Sequence, residues 1–244
     1  MKRLTRTLSA VLILSMALSL TGCGKKGITP KAIRSIAKDA DAIEYDDLDE
    51  FTDLMKDMKN EKQSAIEELE NGVVVTVSGK DIKKLLNESA SMSGTDNIIY
   101  KKSMEEMSYY FVGDVSTGKQ ASLLCMISVA FDDDDDASDY YDYQVDSLEK
   151  ITKQSGSAAE YFDIDGDEGT EGGMDYYVVE YKIKKEYESL LGSNSMTMYA
   201  GVYIDGSYVM YYLSMDIGSS TDCVDKLDEA CKTLGISSPL EIFG

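Results

Sequence analysis

Apolar residues recur along this chain in two alternating rhythms. Ile33, Ile36, Ala37 and Ala40 follow helical spacing after Thr29 and Pro30, a hydroxyl N-cap with proline at the first helical position, so a helix is predicted to about Asp41. Asp47 to Lys59 is a second amphipathic stretch, with Leu48, Phe51, Met55 and Met58 on one face, and Glu61 to Glu70 can continue as helix. Val73 to Val77 is a β-branched run and reads as a strand. Ser78 and Asp81 open a short helix through Leu86, and residues 89–97 read as a loop.

The remainder reads as two related halves. Tyr109 to Val115 and Ser122 to Phe131 are predicted strands around a Ser-Thr-Gly-Lys turn, followed by an acidic stretch and a helix from about Ser138 to Lys153. Met196 to Ile204 and Tyr208 to Asp216 flank Asp205-Gly206, a two-residue hairpin signal, and lead into a helix from about Thr221 to Leu234 that Gly235 stops. Both helices contain Val-Asp-x-Leu, at Val145–Leu148 and Val224–Leu227, so an internal repeat spans about 109–153 and 196–235. Between them Asp175 to Lys184 alternates, with Tyr177, Val179, Tyr181 and Ile183 on one face and Glu180 and Lys182 opposite. The Ser122–Ala130 strand is apolar on both faces, which places it centrally. The predicted class is α+β: an antiparallel sheet with amphipathic helices packed on a face, in one acidic domain over 30–244.

The first 29 residues follow a different logic. Lys2, Arg3 and Arg6 precede 13 uncharged residues, Leu8 to Leu20, a run too short to cross a bilayer core of about 30 Å and proportioned like a secretory signal. Leu20, Thr21, Gly22 and Cys23 follow. This segment resembles the signal and lipobox of bacterial lipoproteins. The resemblance implies a diacylglyceryl group on the Cys23 thiol, signal peptidase II cleavage between Gly22 and Cys23, removal of residues 1–22 and a lipidated tether over 23–29. Two acyl chains suffice for stable anchoring. Beyond Cys23 the layout is similar to acidic α+β lipoproteins of Gram-positive anaerobes, which implies an extracytoplasmic location at the cell membrane and no particular activity.

Charge narrows the choice of partner. Removing residues 1–22 takes away three positive charges and no negative ones, leaving 21 Lys+Arg against 45 Asp+Glu. Such a body is repelled by nucleic acid and by anionic headgroups, so a nucleic-acid partner is excluded. The chain has no histidine, which removes Ser-His-Asp and Cys-His catalysis and His-ligated zinc.

Four features remain as candidate chemistry. Asp132 to Asp136 are five consecutive carboxylates before a helix; they suit capping of that helix, whose positive dipole end favours them, better than convergence on one ion. Asp163, Asp165 and Asp167 have the alternate spacing that opens an EF-hand loop, but Glu168 stands at the glycine position and Met174 at the bidentate glutamate, leaving an acidic Gly-rich loop and at most a weak calcium site. Cys125 is a candidate disulfide partner for Cys223 or Cys231, which are too far apart on one helix to bond each other. Tyr140, Tyr141, Tyr143, Tyr176, Tyr177, Tyr208, Tyr211 and Tyr212 either fill core edges in a chain without tryptophan or line an open sheet face as a binding surface. Two functional readings follow. One is a non-catalytic binding or interaction module of the cell envelope, with an envelope protein as partner. The other is a carboxylate-dependent, calcium-binding hydrolase or transferase.

Overall fold

The computed structural model describes residues 27–60, 62–93, 100–114, 121–153, 160–191, 195–218 and 222–244. The signal segment, Cys23 and most of the tether lie outside the described residues, as does the Ser116–Lys119 turn. The chain enters the fold abruptly. Ile28 is 0% exposed and its carbonyl accepts a hydrogen bond from the buried hydroxyl of Ser128. Gly27, at φ +64°, sits beside the Asp205 side chain.

Helix α1 (Pro30–Asp39) starts where the Thr-Pro signal puts it, with the Thr29 hydroxyl accepting from the Ala32 N–H. A three-residue strand β1 (Ile43–Tyr45) follows, then α2 (Leu48–Lys59), capped by the Asp47 carboxylate, and α3 (Gln63–Asn71). Strand β2 (Val73–Ser78) leads through Gly79 at φ +56° into α4 (Lys80–Ser93), which continues through part of the expected 89–97 loop. Strands β3 (Met104–Asp114) and β4 (Ala121–Phe131) form the first long hairpin. Helix α5 (Asp134–Lys153) begins four residues before the expected start, because the carboxylates themselves make its first turn and Asp133 caps the Asp136 N–H.

The segment read as an acidic loop is a strand. Residues Phe162–Glu171 (β5) pair along their whole length with β6 (Met174–Ile183) across a Gly172-Gly173 turn. Both glycines have positive φ, as a tight hairpin turn demands. A 3₁₀ segment (Lys185–Leu191), strands β7 (Met196–Asp205) and β8 (Tyr208–Ile217), α6 (Asp222–Leu234) and a short α7 (Pro239–Phe243) complete the chain.

The class is α+β, with one eight-stranded sheet in the order β1-β2-β3-β4-β8-β7-β6-β5, antiparallel except for β1 beside β2. Strand β4 is central, as its two apolar faces require. Helices cover both faces. Side chains of α2, α3, α4 and α5 close one core over Val75, Met107, Val129, Val179 and Val202. On the other side α1 and α6 close a second core over Tyr110, Leu124, Met126, Met210 and Tyr212, with α7 packed at its margin. The two hairpin-plus-helix halves therefore send α5 and α6 to opposite faces, where a two-fold axis normal to the sheet would have put both on one.

Candidate functional site

Strands β5 to β8 turn a strongly polar surface toward the face shared with α6 and α7. Register pairs Asp163 with Lys182, Asp165 with Glu180, and Glu180 in turn with Tyr199; Tyr199 pairs with Ser214, and Thr197 with Asp216. All of these side chains fall on one face by alternation. Toward β8 the polar groups go under cover: Tyr199, Ser214 and Asp216 are buried, and on β6 so is Glu180. Phe243 of α7 stacks on the Tyr199 ring at 6.4 Å.

The hydrogen bonding within this cluster is incomplete. Glu180 is 7% exposed; Lys182 Nζ reaches its Oε2 at 2.8 Å, but Oε1 has no partner. Asp216 is 6% exposed; its Oδ2 accepts from the Val224 N–H at 3.2 Å and so caps α6 from the neighbouring strand, while Oδ1 has no partner. Ser214 Oγ and Tyr212 Oη lack partners as well. Native interiors leave few such atoms, and the four fall on one face of the sheet, across β6 and β8. Burial pushes the Asp216 carboxyl up to about 6; the Val224 N–H opposes that, and the nearby charges of Asp222 and Asp225 add to it. Burial, then the adjoining Glu180 carboxylate and the charge of Asp216, raise the Tyr199 phenol above its ordinary value.

Asp163, Asp165 and Asp167 lie along β5, the outer strand of this face. On an extended strand alternate residues are about 6.8 Å apart, so the three carboxylates form a ladder instead of converging on one point. Asp167 accepts from the Tyr176 hydroxyl at 2.8 Å and Asp165 from the Gly166 N–H at 3.0 Å. Among the described residues no group of three or more Cys, Asp and Glu side chains is arranged to hold a metal ion. Asp136, within the acidic run, is held by Ser103 at 2.5 Å and Lys101 at 3.0 Å, and these contacts lower its pKa.

The candidate pairing of Cys125 with Cys223 or Cys231 is not made in this structure. Cys125, Cys223 and Cys231 are all free and buried. Cys125 points to the α2–α5 side, beside Tyr109, whereas Cys223 and Cys231 belong to the α6 core, with Cys223 Sγ facing the Val112 carbonyl. The sheet stands between them, and no rotamer bridges that separation. The tyrosines fill space: Tyr140, Tyr177 and Tyr212 are buried, Tyr176, Tyr208 and Tyr211 are half-buried on the strands against the two cores, and Tyr141 and Tyr143 are half-buried on α5. A shallow cleft of about 150 Å³ lies between α1 and α6, floored by Tyr110, with Lys226 and Glu229 at its rim.

Sequence reasoning missed Glu180 and Asp216 as buried groups. Glu180 reads as the solvent face of an alternating strand, and α7, capped by the Ser238–Glu241 box, packs against β6 and lays Phe243 on Tyr199, the register neighbour of Glu180. No described helix is long and apolar enough to cross a membrane.

No protein-family model matches the chain, and no curated protein matches it. Among solved structures, the crystal structure of LpqN, involved in cell envelope biogenesis of Mycobacterium tuberculosis, aligns with 52% of this chain and 67% of that chain at 11% identity and a TM-score of 0.25. A likeness of that grade fixes neither fold nor function.

Proposed function

We propose that the protein is a lipid-anchored extracytoplasmic lipoprotein whose acidic body is a non-catalytic binding module of the cell envelope. The observation that carries this reading is the Leu20-Thr21-Gly22-Cys23 segment behind its 13-residue uncharged run, and the burial of Ile28 with its hydrogen bond to Ser128 sets how close the body lies to that anchor. Cleavage before Cys23 leaves only residues 24–27 between lipid and folded body, a span of at most about 14 Å. The Asp205-Gly206 turn, beside Gly27, then faces the bilayer, and the opposite end of the sheet, with Asp216 and the start of α6, faces away. A body so close to a membrane and so acidic suits display toward a cationic or neutral partner.

The test is a Cys23→Ser variant expressed in a bacterial host beside the wild type, with palmitate labelling and membrane fractionation. The wild type is expected to be labelled and membrane-bound, and the variant to be unlabelled and released to the soluble fraction. Labelled, membrane-bound Cys23→Ser protein overturns the reading.

A further inference from the structure

The two edges of the sheet are protected unequally. Strand β1 is three residues long, too short to template another strand. Strand β5 runs for ten residues in unbroken register with β6 and carries no bulge, proline or lysine. The Lys184 N–H bonds to the Tyr161 carbonyl, which sets the alternation: Asp163, Asp165 and Asp167 direct their backbone groups toward β6, and Phe162, Ile164, Gly166, Glu168 and Thr170 direct theirs outward. Asp165 caps the Gly166 N–H with its own carboxylate. The other four outward positions have no backbone partner among the described residues.

We propose that β5 is a docking edge for an extended, cationic segment of a partner protein, which adds to the sheet as a ninth strand with lysine or arginine at alternate positions. This names the partner class for the binding-module reading and rests on it.

The geometry specifies the charge pattern. In antiparallel addition the residues opposite Asp163, Asp165 and Asp167 occupy non-hydrogen-bonded pairs, where Cα atoms are about 4.5 Å apart and side chains lie closest. Cationic side chains at every second position of the incoming strand therefore meet the carboxylate ladder one to one. A second, independent feature lies just inside the edge. Glu180, the register partner of Asp165, is over nine-tenths buried and keeps Oε1 unpartnered. The Tyr199 phenol and Lys182 already adjoin this carboxylate, and a long basic side chain laid over Asp165 would add a further charged donor beside it. A second copy of this chain is the wrong occupant, because two such edges would set carboxylates against carboxylates. An acidic edge thus rejects its own kind and most of the acidic surface around it, while accepting a basic strand.

The experiment uses the full-length lipidated protein in zwitterionic detergent micelles. The probe is a heptapeptide of lysine alternating with valine and threonine, with a glutamate-for-lysine peptide as control. Binding is read by fluorescence anisotropy at 50 and 500 mM NaCl, and its place by amide hydrogen exchange. We expect salt-sensitive binding of the lysine peptide alone, with slowed exchange at Ile164, Glu168 and Thr170. Each opposed charge pair is worth up to about a five-fold change in affinity, so Asp163→Asn/Asp165→Asn/Asp167→Asn should weaken binding about ten-fold or more, and Glu180→Gln by a smaller factor. Glu168→Pro removes an outward N–H without touching the β6 ladder, and should abolish binding while its thermal melt stays near wild type. Absent binding at 50 mM NaCl, protection that maps away from β5, or undiminished binding to folded Glu168→Pro protein overturns the proposal. Anchoring is read separately with Cys23→Ser, so loss of the lipid and loss of the peptide are distinct failures.

Discussion

Asp216 makes the fold's stability depend on pH in a direction opposite to that of a salt-bridged carboxylate. Its carboxyl is pushed from 3.8 up to about 6 in the folded protein, chiefly by burial. The native state therefore binds a proton more tightly than the unfolded chain. The stabilisation is fully present below about pH 4, is lost as pH rises through about 6, and is absent above that. A shift of about two units corresponds to about 3 kcal/mol between the two limits. Asp216→Asn is neutral at every pH and retains an amide oxygen to accept the Val224 N–H, so it mimics the protonated native form. Urea unfolding of wild type and variant at half-unit steps from pH 4 to 8 reads the effect, because titrating groups remote from Asp216 cancel in the difference and only its neighbours Asp222 and Asp225 are carried along with it. The two proteins should match within about 1 kcal/mol at pH 4, and the variant should be the more stable by about 1–3 kcal/mol above pH 7. A difference that stays flat across the range, or favours the wild type at neutral pH, would show that the carboxylate is not penalised by its burial.

Two further expectations concern the packing around the same face. A Cβ added at Gly201 would lie 2.5 Å from the Tyr212 ring, which is itself fully buried, so Gly201→Ala should cost about 2–4 kcal/mol in urea unfolding, and pairing it with Tyr212→Leu should recover part of that loss. Cys125, Cys223 and Cys231 should resist a thiol reagent in the native state and react together on unfolding, with no disulfide by mass under non-reducing conditions; burial pushes the Cys125 thiol up to about 12, far from a reactive thiolate.

The features legible in the amino-acid sequence and those hidden in it divide along the range of the forces involved. Thr29-Pro30, Asp205-Gly206 and the two-faced apolar run of β4 are local signals, and each marks its element because capping, turn conformation and burial of both faces act on neighbouring residues. Strand β5 has the opposite character. Aspartate and glycine disfavour strands on their own, and Phe162–Glu171 is extended only because β6 offers a complete hydrogen-bonding edge across Gly172-Gly173. Reading Asp163, Asp165 and Asp167 as a loop followed from propensity; in the strand their period-two spacing produces a ladder. The buried carboxylates lay further from view. Glu180 and Asp216 stand at polar positions of alternating strands, and their burial depends on α6 and α7, elements far along the chain that return to cover the sheet. The register of the β5–β6 hairpin sets Glu180 behind Asp165, and the later helices then cover it. The features that give this face its chemistry are thus products of topology, and a sequence of the same composition with α7 packed elsewhere would leave Glu180 an ordinary solvated carboxylate.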